Sequence, residues 1–569
     1  MRSLRCPEPD SVVARLAHCR RWRPWREEIA TAPGAGAGRG AYRGLTGSGG
    51  RPEECAVHRA RTGAVVGAAC LLALAVLPAD PQRPTPAAAP AASRIRWGPC
   101  PGQPVPDGMR CGSLAVPLDH ADPAKGTIDL ALASIPASGP RAQRLGSLVL
   151  NFGGPGAPGV EGLAADAKAF ADLGKRYDLV SFDPRGVGRS TPVTCGGSMA
   201  PDPGAARGDA AAQLAALRAV VERCERASGR VLPYIGTVHV SRDMDLIRRA
   251  LGEAKLNYLG FSYGTRLGAV YAAQYPHRVG RMVLDGVDTL VETLTEQALV
   301  SAEGQQQALE NFLTWCTRRA EGCVYGTNAR AAKERADSLV AYLDVHPLVD
   351  ADGAAFTGRH AAAAIAAALY SRTSWPALAD ALSRVEHHDD PTGLLRLATP
   401  AEDLPSDLDA EHGVPDPDPV PADNAEAAMT AVNCADDPDR GSDKAAPAVV
   451  ERRIAGLRDR FRQASRIFGP RQLGTVLACY GRPAGTDFLR RIDHPGAPPI
   501  LLIGTRGDPA TPYRWTEETA QRLGSAVVLD YKGDGHTAYT ASTCVRAYAN
   551  AFLVDGDLAS GTRSCPGVA

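Results

Sequence analysis

One serine of this chain stands in a pattern that could make it a nucleophile. Ser262 is the middle residue of the stretch GFSYG (260–264), which has an apolar run before it and a helical pattern after it. Small residues at both glycines let a strand turn tightly into a helix, which forces the serine side chain outward. Tyr263 would then offer its backbone N–H to a developing oxyanion at the start of that helix. The chemistry indicated is acyl transfer through a covalent intermediate.

Two residues late in the chain could complete a proton-transfer system with this serine. A serine nucleophile needs a base, and the base needs an orienting carboxylate. In folds whose serine lies on such a strand-to-helix turn, the three residues follow one another along the chain in the order Ser, then Asp or Glu, then His. Asp508 follows the strand pattern of residues 498–504, and His536 follows that of residues 526–531. Both would lie outside the carboxyl ends of strands, where α/β sheets bind their ligands. Asp534 is the alternative acid, but it is only two residues before the histidine, which is too close to orient the ring.

A glycine-rich loop, GGPGAPG (153–159), follows an earlier apolar strand pattern and could supply the second oxyanion donor. We expect the backbone N–H of Gly153 or Gly154 to serve this purpose. The loop also fits the dinucleotide pattern G-x-G-x-x-G. That interpretation is disfavoured because Pro155 and Pro158 remove N–H donors that a pyrophosphate would use, and because no helix is expected directly behind the loop.

Alternating strand and helix patterns predict the elements that would position these residues. Apolar strand patterns occur at 146–152, 177–183, 255–261 and 281–287. Helical patterns occur at 241–252, with Ser241 as N-cap, and at 265–276. Uniformly apolar strands that alternate with helices indicate a parallel sheet covered on both faces. Residues 111–119 and 126–135 alternate like an antiparallel pair. The fold class predicted is α/β, a doubly wound and mostly parallel sheet with a large helical cap insertion.

The chain divides by composition into address, linker, core and cap segments. The prediction is an unstructured extension or a start codon placed too early (1–56), a signal peptide or membrane anchor (57–80), a Pro/Ala linker (81–94), the first part of the core (95–289), the helical cap (290–480) and the C-terminal part of the core (481–569). Within the cap, the acidic, proline-rich run of residues 402–423 is expected to form a mobile flap or loop. The protein is therefore expected to be exported, or held at the cell envelope if the apolar segment stays uncleaved.

Ten of the fourteen cysteines follow the apolar segment and fall in local couples, as an oxidising compartment favours. Pairing of nearest neighbours is the preferred scheme: Cys100 with Cys111, Cys195 with Cys224, Cys316 with Cys323, Cys434 with Cys479, and Cys544 with Cys565. Lysine plus arginine and aspartate plus glutamate both number 63, so net charge gives no reason to expect a nucleic-acid partner. We expect no metal, no organic cofactor and no stable membrane partner unless the N-terminal segment remains attached.

Taken together, these motifs resemble the secreted α/β-hydrolase serine peptidases of the prolyl-iminopeptidase and tripeptidyl-aminopeptidase type. The stretches that carry the resemblance are NFGGPG (151–156), YDLVSFDPRGVGRS (177–190), YLGFSYGT (258–265), VNCADDP (432–438), GTRGDPATP (504–512) and GDGHTAY (533–539). They span nearly the whole chain after the linker. The C-terminal part looks like the module typical of tripeptidyl aminopeptidases.

The resemblance implies that tripeptides or single residues are released from free N-termini. It makes Ser262 the nucleophile, Asp508 the orienting acid and His536 the base. Such a peptidase must also bind an ammonium group, and the candidates for this are Asp436, in the family-like CADD stretch, and Glu303. The segment YGRP after Cys479 departs from the Trp-Pro of relatives, which puts the preferred substrate in doubt. The same three residues would also cleave esters, so a secreted carboxylesterase is the main alternative, and a non-catalytic binding protein on this fold is a remote one.

Overall fold

The computed structural model describes residues 94–101, 105–200, 210–319, 322–350, 353–398, 419–437, 447–482, 485–487, 496–558 and 563–568. The predicted extension, signal segment and nearly all of the linker lie outside these residues, as does most of the acidic run. Among the helices of the described ranges, none is both long enough and apolar enough to cross a membrane.

A ten-stranded sheet forms the centre of the described chain. Its strands are β1 (Arg96–Gly98), β2 (Arg110–Pro117), β3 (Thr127–Ile135), β4 (Ser147–Asn151), β5 (Asp178–Phe182), β6 (Leu256–Phe261), β7 (Val279–Asp285), β10 (Ile500–Gly507), β11 (Ala526–Asp534) and β12 (Ser564–Pro566); a separate small hairpin consists of β8 (Leu348–Val349) and β9 (Ala355–Phe356). The order across the sheet is β1-β2-β3-β5-β4-β6-β7-β10-β11-β12. The first three strands pair antiparallel, as does β3 with β5, and all later pairs are parallel.

Helices cover both faces of this sheet because its central strands are apolar on both sides. The flanking helices are α1 (Gly159–Asp166), α2 (Ala210–Ser228), α3 (Thr237–Ala250), α4 (Tyr263–Gln274), α13 (Tyr513–Leu523) and α14 (Thr543–Asp555). Every residue of β4 is buried, as expected for a parallel strand between two helical layers. The doubly wound sheet and the strand-serine-helix corner are those of the α/β-hydrolase fold, so the predicted fold class is confirmed.

Between β7 and β10 the chain forms a helical insertion. Its helices are α5 (Leu294–Cys316), α6 (Ala329–Val345), α7 (Gly358–Leu369), α8 (Trp375–His388), α9 (Thr392–Ala398), α10 (Asn424–Asp436), α11 (Pro447–Ala464) and α12 (Gly469–Leu477). The insertion has its own hydrophobic core, in which Phe312, Leu369, Trp375 and Phe468 are fully buried. This cluster is separate from the two that cover the faces of the sheet.

The N-terminal end of helix α10 is bonded to the loop that follows β5. The side chain of Asn424 accepts the N–H of Gly188 at 2.8 Å and donates to the carbonyls of Gly186 and Val193 at 2.9 and 2.8 Å. The preceding carboxylate, Asp423, accepts the N–H of Cys195 at 2.7 Å. These buried bonds satisfy the loop that follows β5.

Two local expectations are wrong. Helix α3 begins at Thr237, so Ser241 is a buried interior residue and not its N-cap. The cause is a distant contact, because Asp436 accepts the N–H of Thr237 at 2.9 Å and so satisfies the first turn. In addition, a helix does open directly behind the glycine-rich loop, since α1 starts at Gly159.

Five disulfides join Cys100 to Cys111, Cys195 to Cys224, Cys316 to Cys323, Cys434 to Cys479, and Cys544 to Cys565. Disulfides form and persist in oxidising compartments, so these bonds fit an extracellular or cell-envelope protein. They link neighbouring segments of the core and of the insertion.

Candidate active site

The corner that carries Ser262 is a strained turn between β6 and α4. Ser262 has φ 54° and ψ −125°, and positive φ is uncommon for a residue other than glycine. The flanking glycines are required by space. A Cβ at Gly260 would lie 2.6 Å from the carbonyl oxygen of Gly264, and one at Gly264 would lie 2.6 Å from Oδ1 of Asn151. The turn therefore holds the serine at the carboxyl edge of the sheet by steric means.

Asp508 and His536 lie together at the same edge. His536 Nδ1 is 2.9 Å from Oδ1 and 3.1 Å from Oδ2 of Asp508, which is buried just after β10. The backbone N–H groups of Ala510 and Thr511 also donate to Asp508 Oδ1, at 2.9 and 2.8 Å. Asp534 instead accepts a hydrogen bond from Asn311 at 2.8 Å. Of the two acids considered for orienting the ring, the structure places Asp508 against it.

The electrostatic surroundings of His536 favour its charged form. Burial acts to lower the pKa of His536, but the charge and hydrogen bond of Asp508, together with the charges of Asp285 and Asp288, outweigh the effect of burial. The pKa of His536 is consequently raised above its ordinary value. Because its pKa is raised, the neutral form of His536 accepts a proton more readily than an ordinary histidine does.

The serine and histidine segments are neighbours, although no hydrogen bond joins Ser262 Oγ to His536 within the described residues. The link between them is the end of β7. The carbonyl oxygen of Asp285 accepts the N–H of Ser262 at 2.9 Å. A Cβ at the next residue, Gly286, would lie 3.4 Å from Cε1 of His536. Hydrogen bonds between nucleophile and base are often long without substrate and tighten when it binds.

The glycine-rich loop packs directly on the serine corner. A Cβ at Gly153, where φ is 86°, would lie 2.5 Å from the carbonyl oxygen of Phe261 and 3.2 Å from the backbone nitrogen of Tyr263. The N–H of Gly153 donates to Asn151 Oδ1 at 3.0 Å. Of the two glycines predicted as oxyanion donors, Gly154 is therefore the one whose N–H makes no hydrogen bond to the described residues. Tyr263 begins α4, so its N–H lacks an acceptor within the helix.

Asp436 lies behind the serine corner in a buried polar network. It accepts hydrogen bonds from both the N–H and the hydroxyl of Thr237, and that hydroxyl is 2.6 Å from the hydroxyl of Tyr263. Arg266 contributes a guanidinium 3.7 Å from Asp436 and 3.0 Å from Asp288. Burial raises the pKa of Asp436, although Arg266 and Thr237 oppose that effect. The network holds two carboxylates and one guanidinium.

Glu303 occupies a different environment. It is exposed on α5 and forms an ion pair with Arg514 at 3.3 Å, in which both side chains are more than half exposed. The adjacent Gly304 packs on the Asp508 segment, since a Cβ there would lie 3.4 Å from the carbonyl oxygen of Asp508. Glu303 is thus near the acid segment but outside the buried network.

Sequence reasoning missed Asp285, Asp288 and Tyr370 at the site. Asp285 ends β7 at the carboxyl edge of the sheet, so the rule that placed Asp508 and His536 could have found it. Tyr370 follows α7 and carried no signal. Its carbonyl accepts the N–H of His536 at 2.8 Å, and its half-exposed ring meets the imidazole edge-on at 5.0 Å. The helical insertion therefore contacts the candidate base directly.

Comparisons with known proteins find relatives that cover most of this chain. Residues 465–565 match the family model described as TAP-like protein. The chain is 36% identical over 496 residues to serine protease Hip1 of Mycobacterium tuberculosis (strain H37Rv), covering 81% of this chain and 89% of that protein. It is 29% identical over 496 residues to tripeptidyl aminopeptidase of Streptomyces coelicolor, covering 83% and 85%. It is 32% identical over 477 residues to carboxylesterase B of Mycobacterium tuberculosis (strain H37Rv), covering 80% and 86%.

Proposed function

Because the chain belongs to the α/β-hydrolase family that contains Hip1 and the tripeptidyl aminopeptidases, we propose that it is an exported serine aminopeptidase. It is a serine hydrolase, and the finer assignment is to the release of tripeptides or single residues from free N-termini. The observation that carries the assignment of roles is the Asp508–His536 pair at 2.9 Å, beside the strained turn that holds Ser262.

The proposed chemistry proceeds through an acyl-enzyme. Ser262 Oγ attacks the carbonyl carbon while His536 Nε2 takes the hydroxyl proton, and Asp508 holds the imidazole through Nδ1. The N–H groups of Tyr263 and of the Gly153–Gly154 loop stabilise the oxyanion. His536 returns the proton to the leaving amine. Water then attacks the acyl group, with His536 again accepting the proton, and Ser262 is regenerated.

Recognition of the free N-terminus is assigned to the carboxylates near the corner. Asp436 and Asp288 outnumber their single guanidinium, Arg266, so the network carries a net negative charge beside Tyr263. A negative, partly desolvated region of this kind favours a substrate ammonium group. Asp436 accepts two hydrogen bonds from Thr237, in addition to its contact with Arg266. Within the described residues the ion-pair partner of Asp288 is Arg266. The carboxylate of Asp288 therefore keeps more acceptor capacity for a substrate ammonium group, which makes Asp288 the better placed contact. Glu303, which is exposed and paired with Arg514, is a second candidate. It lies at the rim of the site, by which we mean the exposed surface of α5 beside the Asp508 segment.

A comparison of free and blocked substrates tests the exopeptidase assignment. The protein is expected to cleave tripeptidyl and mono-aminoacyl chromogenic amides and to lose at least about 10-fold in kcat/KM when their N-termini are acetylated, because the ammonium contact is removed. The ratio between the tripeptidyl and mono-aminoacyl amides gives the length released. Equal cleavage of free and acetylated amides would contradict an exopeptidase.

Substitution of Asp288 locates the ammonium site. Asp288→Asn is expected to raise KM for the free amide about 10-fold, since a charge-assisted hydrogen bond is weakened, and to leave turnover of a short acyl ester nearly unchanged. Glu303→Gln is the matched control for a rim contact. If Glu303→Gln raises KM and Asp288→Asn does not, the ammonium is bound at the rim instead.

A carboxylesterase is the second candidate, because one relative at 32% identity is named carboxylesterase B. Rapid ester turnover without cleavage of any amide would favour it.

Export is tested separately. The protein recovered from the culture medium or envelope is expected to begin after the apolar segment of residues 57–80, as N-terminal sequencing would establish.

A further inference from the structure

Asp285 is a buried carboxylate between the strands that carry the proposed nucleophile and acid. In the sheet it pairs with Phe261 of β6 on one side and with Ile503 of β10 on the other. Its exposed fraction is 0%, and no lysine or arginine of the described residues forms an ion pair with it. A carboxylate buried without a cation must be stabilised by hydrogen bonds, so its acceptor bonds indicate what it does.

Those bonds go to the segment that carries His536. The N–H of Ala538 lies 3.1 and 3.0 Å from the two carboxylate oxygens, and the N–H of Tyr539 lies 2.7 Å from Oδ2. The backbone carbonyl of the same aspartate accepts the N–H of Ser262 at 2.9 Å. One residue therefore fixes the backbone of the proposed nucleophile and the loop of the proposed base.

The histidine loop is held by four consecutive backbone N–H groups. The N–H of His536 donates to the carbonyl of Tyr370 at 2.8 Å, that of Thr537 donates to Asp508 Oδ2 at 3.3 Å, and the next two donate to Asp285. Thr537 has φ 64°, which is unfavourable for a β-branched residue and persists only when its surroundings impose it. Asp285 supplies half of the acceptors that impose this conformation.

The charge of Asp285 also acts on the ring. The charges of Asp508, Asp285 and Asp288 all stabilise the imidazolium of His536. Burial raises the pKa of Asp285 to about 6, although the two backbone N–H groups oppose this. Above that pH the carboxylate is ionised while His536 works as a base.

We infer that Asp285 is a positioning residue of the hydrolytic reaction, which fixes the nucleophile corner and the histidine loop together and places a buried negative charge beside the imidazole. The inference depends on the serine hydrolase chemistry and not on the aminopeptidase assignment. A short acyl ester is therefore the substrate for its test.

The test is the pH profile of kcat/KM for the exported chain and its Asp285→Asn variant. The amide removes the charge, so the pKa of His536 falls and the acid limb is expected to move to lower pH by roughly 0.5 to 1 unit. Loss of the loop geometry is expected to lower kcat by up to about 100-fold. A purely structural residue would lower kcat or Tm without moving the acid limb.

Asp183 provides a matched control. It follows β5, is equally buried, accepts the N–H groups of Val160 and Arg189 at 2.9 Å each, and burial raises its pKa to about 6. Asp183→Asn is expected to lower Tm comparably and to leave the acid limb in place. An unmoved limb in Asp285→Asn, or an equal movement in Asp183→Asn, overturns the inference.

A measurement on the unmodified protein covers the case in which Asp285→Asn does not fold. Hydrogen exchange at pH 7 is expected to show strong protection of the Ala538 and Tyr539 amides, because both donate to the buried carboxylate of Asp285. Exchange of these amides as fast as that of an exposed loop would overturn the inference without any variant.

Discussion

Ser262→Ala is expected to lower kcat by about a million-fold for both ester and peptide substrates, the largest effect predicted for this chain. The hydroxyl of Ser262 is the group proposed to form the acyl bond, so its removal would leave only substrate binding and the proposed oxyanion donors. KM is expected to change little. The measurement is a comparison of initial rates for the purified variant and the parent, with active-site titration by a serine-directed phosphonate.

Ser241→Ala is the matched control for this prediction. Ser241 is fully buried inside α3, and its hydroxyl makes no hydrogen bond within the described residues. Its removal is expected to keep wild-type turnover and phosphonate labelling, because it lies on another element and takes no part in the corner. Turnover by Ser262→Ala within about 10-fold of the parent would exclude Ser262 as the nucleophile.

Asp508→Asn is expected to lower kcat by about 10,000-fold while the protein remains folded. The amide cannot hold the Nδ1–H tautomer of His536, so Nε2 no longer faces the nucleophile as an acceptor. The sign of the pH effect also follows. Asp508 is the main cause of the raised pKa of His536, so its loss lowers that pKa and moves the acid limb of the residual activity to lower pH.

Asp534→Asn is the control that tests whether removing any carboxylate near His536 has the same effect as removing Asp508. Asp534 is bound to Asn311, and burial raises its pKa. Its amide variant is expected to keep kcat within a few-fold of the parent. If instead Asp534→Asn abolishes turnover and Asp508→Asn does not, the orienting acid has been assigned to the wrong residue.

The parts of the site that sequence reasoning predicted are those with a local signature. Ser262 lies between glycines that only a tight corner requires, and Asp508 and His536 each follow a recognisable apolar strand. The contact between Asp508 and His536 follows from topology, because parallel neighbours bring their carboxyl ends to one edge. The sequence alone therefore indicated that Asp508 and His536 would meet.

The parts that were missed depend on contacts between distant segments. Helix α3 begins four residues before Ser241 because Asp436, from the insertion, satisfies Thr237. Tyr370 reaches the base through its backbone carbonyl, which any residue type could supply. Neither contact leaves a pattern in the residues around it, so local periodicity could not have predicted it.

The attachment of α10 through Asn424 limits how this enzyme could be shortened. A truncation that replaced the entire stretch between β7 and β10 by a short linker would also remove the partners of Gly186, Gly188 and Val193. These buried backbone groups would be left without hydrogen bonds, at about 1–3 kcal/mol each. A minimal version should therefore retain residues 419–437, and also Tyr370, whose carbonyl accepts the N–H of His536.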